Sequence, residues 1–274
     1  MKSVFAAIIL SATAVAAQTG IRSVDFKNFT YQPYCVGDAP ETVAVKDGEF
    51  SRETPQDGWV DRFFFKVLEI AYGDLDSDGR EEAAILTVCN TGGTGNFTEA
   101  FIYRLQGSKP ALASRLAGGD RAFGGFRSLK IDKGLLIVEE YSPGENGGAC
   151  CPEFILTKRY KLIRSRLVQT GAVTKRDVLP KQRITFARGA NSKTITLRIP
   201  AGESIGLVLG ARRGQKLIVS TDPRFAEVWL NNDAEIKKLE SGFEAILSNS
   251  GDQVVEVQNI TKAFRVITVK VRID

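Results

Sequence analysis

The 274 residues include no histidine, and that absence removes several chemistries at once. Neither a Ser/His/Asp nor a Cys/His nucleophile can be assembled, and zinc cannot be held by imidazole. Hydrolysis by carboxylates alone, as in glycoside hydrolases, survives the exclusion. Long apolar runs are missing too. None reaches the ~20 residues that cross a bilayer, so no membrane span is expected. No long segment repeats its apolar residues at helical period either.

What is present begins with MKSVFAAIILSATAVAA, residues 1–17. Lys2, a short apolar run and small residues at the end read as a signal peptide cleaved after Ala16 or Ala17. The product is expected to be exported, periplasmic or extracellular. The remaining chain is long for a single core, and charge divides it. Residues 18–157 carry a net −7, residues 158–181 a net +7 and residues 182–274 a net +4. The expectation is an acidic module, a basic bridge made of a final strand plus linker, and a second module. Tyr160, Leu162, Ile163, Leu167 and Val168 interleave with the cations of the bridge. Strand alternation explains that pattern better than a nucleic-acid patch, and no nucleic-acid partner is expected. An anion-binding surface for lipid or glycan is the alternative.

Both modules read as mainly β. In the first, residues 63–74, 82–89, 98–105, 109–116, 126–131 and 134–141 are strand candidates. KIDKGLLIV marks an antiparallel hairpin, and residues 51–66 leave room for a short helix. In residues 182–274, Ile195, Leu197 and Ile199 share a face, as do Ile267, Val269, Val271 and Ile273. Seven or eight short strands there predict a two-sheet β-sandwich.

Cys35, Cys89, Cys150 and Cys151 all lie in the acidic module, and in an oxidising compartment four cysteines read as two disulfides. A Cys150–Cys151 bridge would close a very small ring, so each is expected to reach one of the two distant cysteines. A four-thiolate zinc site would want CxxC pairs, which the spacing lacks.

GDLDSDGREEA, residues 73–83, is the strongest local motif. Asp74, Asp76 and Asp78 alternate, Gly79 permits a sharp bend, Arg80 can offer its carbonyl and Glu82 arrives as the ninth-position carboxylate. Hard oxygen ligands in this number suit calcium. The twelfth position is Ile85 and the flanks are β-like, so it is not an EF-hand. The loop resembles the calcium turns of FG-GAP repeats, with Glu in place of their last Asp. Its single copy implies a lone structural calcium, not a propeller.

Three glycine-rich loops, residues 89–97, 116–126 and 142–153, can gather at one rim and bind a glycan or peptide. Glu139, Glu140, Glu145 and Glu153 raise a carboxylate-dependent glycosidase as an alternative, but Glu139 and Glu140 are adjacent and point to opposite strand faces. Asn28, Asn96 and Asn259 open formal glycosylation sequons.

From Ile184 onward, ITFARGANSKTITLRIPAGESIGLVLGARRGQKLIVS followed by SGDQVVEV resembles the bacterial inhibitors of g-type lysozyme, and the wider pre-peptidase C-terminal β-sandwich domains. The matching pieces include Phe186, Gly189, Ser192, Ala211, Gly214, Gln215 and Leu217. The resemblance implies an exported, non-catalytic β-sandwich whose partner is a lysozyme or another cell-wall lytic enzyme. A glycan- or surface-binding module without an inhibitory target is the alternative.

Overall fold

The computed structural model describes residues 20–35, 40–145, 147–230 and 234–274, so the expected signal peptide lies outside the described residues. The chain is mainly β, as its alternation predicts, and divides into two compact units. The first comprises residues up to 151 together with 156–174. The second comprises residues 152–155 and 175–274. No described helix is long and apolar enough to cross a membrane.

The first unit starts with a single 3-10 turn, Ile21–Ser23, and the short pair β1 (Thr30–Tyr31) and β2 (Val43–Ala44). An antiparallel five-stranded sheet follows in simple sequence order: β3 (Glu49–Gln56), β4 (Trp59–Gly73), β5 (Glu82–Asn90), β6 (Phe97–Gln106) and β7 (Lys109–Asp120). A second sheet runs β8 (Phe126–Asp132), β9 (Leu135–Ser142), β10 (Phe154–Ile163) and β11 (Arg166–Gln169). The hairpin expected at KIDKGLLIV is present, with Lys133 and Gly134 at φ 50° and 73°.

The five-stranded sheet is covered on both faces, which explains why EAAILTVC reads as an unbroken apolar run. Ala83, Ile85 and Cys89 face Phe26, Tyr31, Val43 and Val45 of the N-terminal segment. Ala84 and Leu86 face Leu129, Leu136, Val138, Tyr160 and Leu162 of the second sheet. On the first face Phe26, Phe29, Tyr31, Phe65, Phe101 and Tyr103 pack with ring centroids 5.1 to 6.4 Å apart. The Tyr31 hydroxyl donates to the Phe26 carbonyl at 2.6 Å. Burial pushes the Tyr103 phenol up to about 12.

No helix forms in residues 51–66. Asp57 and Gly58, the latter at φ 84°, turn β3 into β4, and the two strands pair from Glu49↔Lys66 to Gln56↔Trp59. The Asp-Gly turn outweighs a weak helical pattern.

β12 (Thr174–Asp177) lies at the division between the units, and the second unit contains β13 (Lys181–Arg183), β14 (Ser192–Ile199), β15 (Ser204–Ala211), β16 (Lys216–Ser220), β17 (Ala226–Leu230), β18 (Glu235–Leu239), β19 (Gly242–Ile246), β20 (Gly251–Asn259) and β21 (Arg265–Ile273). One sheet has the order β13-β15-β20-β17 and the other β14-β21-β16-β19-β18. The inward sides of the two sheets make one core, in which Ile195, Leu197 and Ile199 meet Ile267, Val269, Val271 and Ile273. This is the sandwich that the period-two pattern predicts.

Candidate functional site

The acidic loop is the connection between β4 and β5, closed by the pair Gly73↔Glu82. Its backbone wraps around its own carboxylates. The Asp78 N–H donates to Asp74 and Asp76, the Gly79 N–H donates to Asp74 at 3.0 Å, and the Arg80 N–H donates to Asp78 at 2.8 Å. Ser77 at φ 64° and Gly79 at φ 84° supply the tight bend. Asp74, Asp76 and Asp78 thereby bring one carboxylate oxygen each within 4.8 Å of one another. Three such charges repel by about 1 to 3 kcal/mol per pair, between the solvent-screened and part-buried limits, which a divalent cation reverses.

Glu82 stands apart from that group. It is only 1% exposed and accepts the Leu75 N–H at 2.8 Å, bracing the loop from beneath. Burial pushes its carboxyl up to about 7. The Leu75 N–H opposes that rise, and the charges of Asp76, Asp78 and Asp74 add to it. Arg104 lies 3.8 Å from Asp76 and supplies some positive charge to the loop. The donor set of hard oxygens fits calcium, with Asp74, Asp76 and Asp78 already convergent and the Arg80 carbonyl and Glu82 close in sequence.

The cysteines correct the sequence expectation. Cys35 pairs with Cys89, Cα atoms 5.9 Å apart, and Cys150 pairs with its neighbour Cys151. Cys89 sits at the end of β5 on the face covered by the N-terminal segment, and that segment brings Cys35 to it. The loop of Cys150 and Cys151 is tied elsewhere, through the Ala122 N–H donating to the Ala149 carbonyl. Beside the Cys35–Cys89 bridge, Glu99 accepts the Tyr34 N–H at 3.0 Å and pairs with Arg115 at 3.4 Å. Burial raises the Glu99 carboxyl while Arg115 lowers it.

The glycine-rich loops do gather. The Asn96 N–H donates to Asp120 at 2.7 Å and the Arg121 N–H to the Asn96 carbonyl. Asn90 folds the first loop by donating to the Gly93 and Gly95 carbonyls. In the second loop the Gly119 N–H donates to the Gly124 carbonyl at 2.8 Å. A Cβ on Gly119 would fall 1.7 Å from the Phe123 carbonyl oxygen, so only glycine allows that turn. The third loop joins through Ala149.

Two apolar features of this rim escaped the sequence reading. Phe123, in the middle loop, is 53% exposed. Trp59 is 61% exposed at the turn of the β3–β4 ribbon, which runs on past the end of β5: pairing with β5 starts only at Phe64↔Asn90. Gly92 of the first loop packs against Arg62 at the base of this ribbon. The Asp57-Gly58 dipeptide was the available signal.

Of the carboxylates considered for glycoside hydrolysis, the adjacent pair Glu139 and Glu140 is tied down, while Glu145 and Glu153 are exposed. Glu139 pairs with Arg127 and Glu140 with Lys158, on opposite faces of β9, so neither offers a free partner to a common cleft. Of the sequons, Asn259 is wholly buried with its amide bonded to three carbonyls, which bars glycan attachment in the folded unit.

No protein-family model and no curated protein matches the sequence. Among solved structures, about a third of the chain is similar to periplasmic inhibitors of g-type lysozyme. PliG of Salmonella Typhimurium is 19% identical, the match covering 35% of this chain and 98% of that one, with a TM-score of 0.29. PliG of Aeromonas hydrophila is 19% identical over 35% of this chain and 97% of its own, at 0.30. A mutant of the Escherichia coli inhibitor is 17% identical over 35% and 99%, at 0.29.

Proposed function

We propose that this chain is an exported, non-catalytic binding protein that inhibits a g-type lysozyme-like enzyme of cell-wall lysis, with calcium as scaffolding in residues 74–82. One observation carries the binding reading: the rim of the first unit, where a tryptophan-tipped ribbon stands beside three interlocked loops. Exposed aromatics on a rigid frame are the residues that carry most of the energy at protein interfaces. The choice of target rests on the resemblance of residues 184–220 to the inhibitors, and the Cys35–Cys89 disulfide accords with an oxidising compartment.

The test is lysis of cell walls by a g-type lysozyme with the purified chain present. Inhibition at micromolar concentration is expected, and Trp59→Ala should weaken it by about thirtyfold, the loss of one hot-spot side chain. Unchanged lysis would exclude the target. A second reading, glycan binding, is favoured by the polar groups of the interlocked loops, chiefly Asn90, Asn96 and Asp120. Retention of the chain on insoluble peptidoglycan without inhibition would select it.

A further inference from the structure

The basic stretch keeps charge that the fold leaves unused. β10 and β11 pair across the turn Arg164–Ser165, with Lys161 opposite Val168 and Ile163 opposite Arg166. Tyr160, Leu162 and Leu167 turn to the core, so those four side chains share the outer face of the second sheet. All four are exposed there, Ile163 by 50% and Val168 by 46%. Lys130 and Arg159 extend the same face, bordering a shallow cavity of about 350 Å³ with Ile137 and Thr157.

None of Lys130, Arg159, Lys161, Arg164 and Arg166 has a carboxylate within ion-pair distance among the described residues. The acids bordering the cavity are engaged: Glu139 with Arg127 and Ser128, and Glu69 with the Leu129 N–H. The result is a surface of cations without a carboxylate partner, of which Arg159 donates to the Ala172 carbonyl and two others are set directly across the hairpin from an exposed aliphatic side chain.

We propose that this face docks on a membrane of anionic phospholipid, independently of the inhibitory reading above. Charge complementarity supplies the attraction, because cations near an anionic leaflet each gain from its surface potential. The aliphatic residues decide between partners. A hydrated polyanion would be met by the cations alone, and Ile163 and Val168 would gain nothing from it. At a bilayer surface they enter the headgroup boundary while the stems of Lys161 and Arg166 lie along it and their charged ends reach phosphate.

The test is co-sedimentation of the full chain with large vesicles of phosphatidylcholine alone or mixed equally with phosphatidylglycerol. Binding is expected only to the anionic vesicles, falling steeply as salt rises. Lys161→Gln with Arg166→Gln should weaken it about thirtyfold, roughly fivefold for each cation. Ile163→Ser with Val168→Ser should weaken it several-fold with the charges intact. Each pair is exposed, and a thermal melt matching the unaltered chain confirms the fold; should either pair disturb it, Lys130→Gln with Arg159→Gln repeats the charge test. No binding to anionic vesicles overturns the proposal. So does binding that the aliphatic pair leaves unchanged while dextran sulfate competes, which would assign the face to a polyanion.

Discussion

Asn259→Ala is expected to cost the second unit about 3 to 5 kcal/mol, from several buried polar groups left unpaired at roughly 1 to 3 kcal/mol each. Asn259 ends β20 and is wholly buried. Its amide nitrogen donates to the carbonyls of Ile199 at 2.9 Å, Pro200 at 3.0 Å and Ala263 at 2.8 Å, two hydrogens shared among three acceptors. Its oxygen accepts from the backbone N–H and the hydroxyl of Thr261. One side chain therefore fastens the end of β14 to the loop between β20 and β21. Alanine supplies none of these bonds and leaves a cavity too. Because domains are stable by only ~5 to 15 kcal/mol and a unit of this size loses ~4 to 8 °C per kcal/mol, its melting transition should fall by roughly 15 °C or more. Asn259→Asp should be no milder, since it keeps the acceptor for Thr261 but turns a carboxylate toward three carbonyl oxygens. A calorimetric melt reads this directly, and a shift of only a few degrees would mean that water replaces the amide.

The same residue shows what the sequence can disclose. Asn259 presents itself there as a glycosylation sequon, because its three acceptors belong to residues 60, 59 and 4 positions away and no local pattern announces them. Period-two alternation, in contrast, is local. It placed Ile195, Leu197 and Ile199 with Ile267, Val269, Val271 and Ile273 in one core, and it separates Tyr160 and Leu162 from Lys161 and Ile163. For β5, burial on two faces erased the alternation, so the run read as a strand without revealing what covers it. The cysteine pairing was illegible for a related reason. It depends on which segment covers the Cys89 face, and residues 20–35 have too little regular structure to show that they do. The three glycine-rich loops were legible as candidates, yet their meeting depends on sheet order, which joins Asn96 to Asp120 and Ala122 to Ala149.

Removing calcium is expected to lower the melting transition of the first unit by roughly 5 to 10 °C. An ion present at a hundred times its dissociation constant contributes about 2.7 kcal/mol, and a unit of this size shifts by ~2 to 4 °C per kcal/mol. The loop's N–H groups hold Asp74, Asp76 and Asp78 so that one oxygen of each lies within 4.8 Å of the others. The folded chain thus brings together charges that the unfolded chain keeps apart, and a divalent cation turns that repulsion into attraction. The tie to stability runs through the closing pair Gly73↔Glu82, which sets β4 against β5, the strand that carries Cys89. Asp76→Asn or Asp78→Asn should raise the melting temperature in chelator slightly, by easing repulsion, and abolish the response to calcium. Glu82→Gln keeps an oxygen for the Leu75 N–H but removes a charge, so the calcium shift should shrink without vanishing. Magnesium at equal concentration should substitute poorly, because it dehydrates reluctantly and demands an octahedral set that three loop aspartates do not provide. Superimposable melting curves with calcium and with chelator would reduce the loop to a turn whose aspartates serve backbone geometry alone.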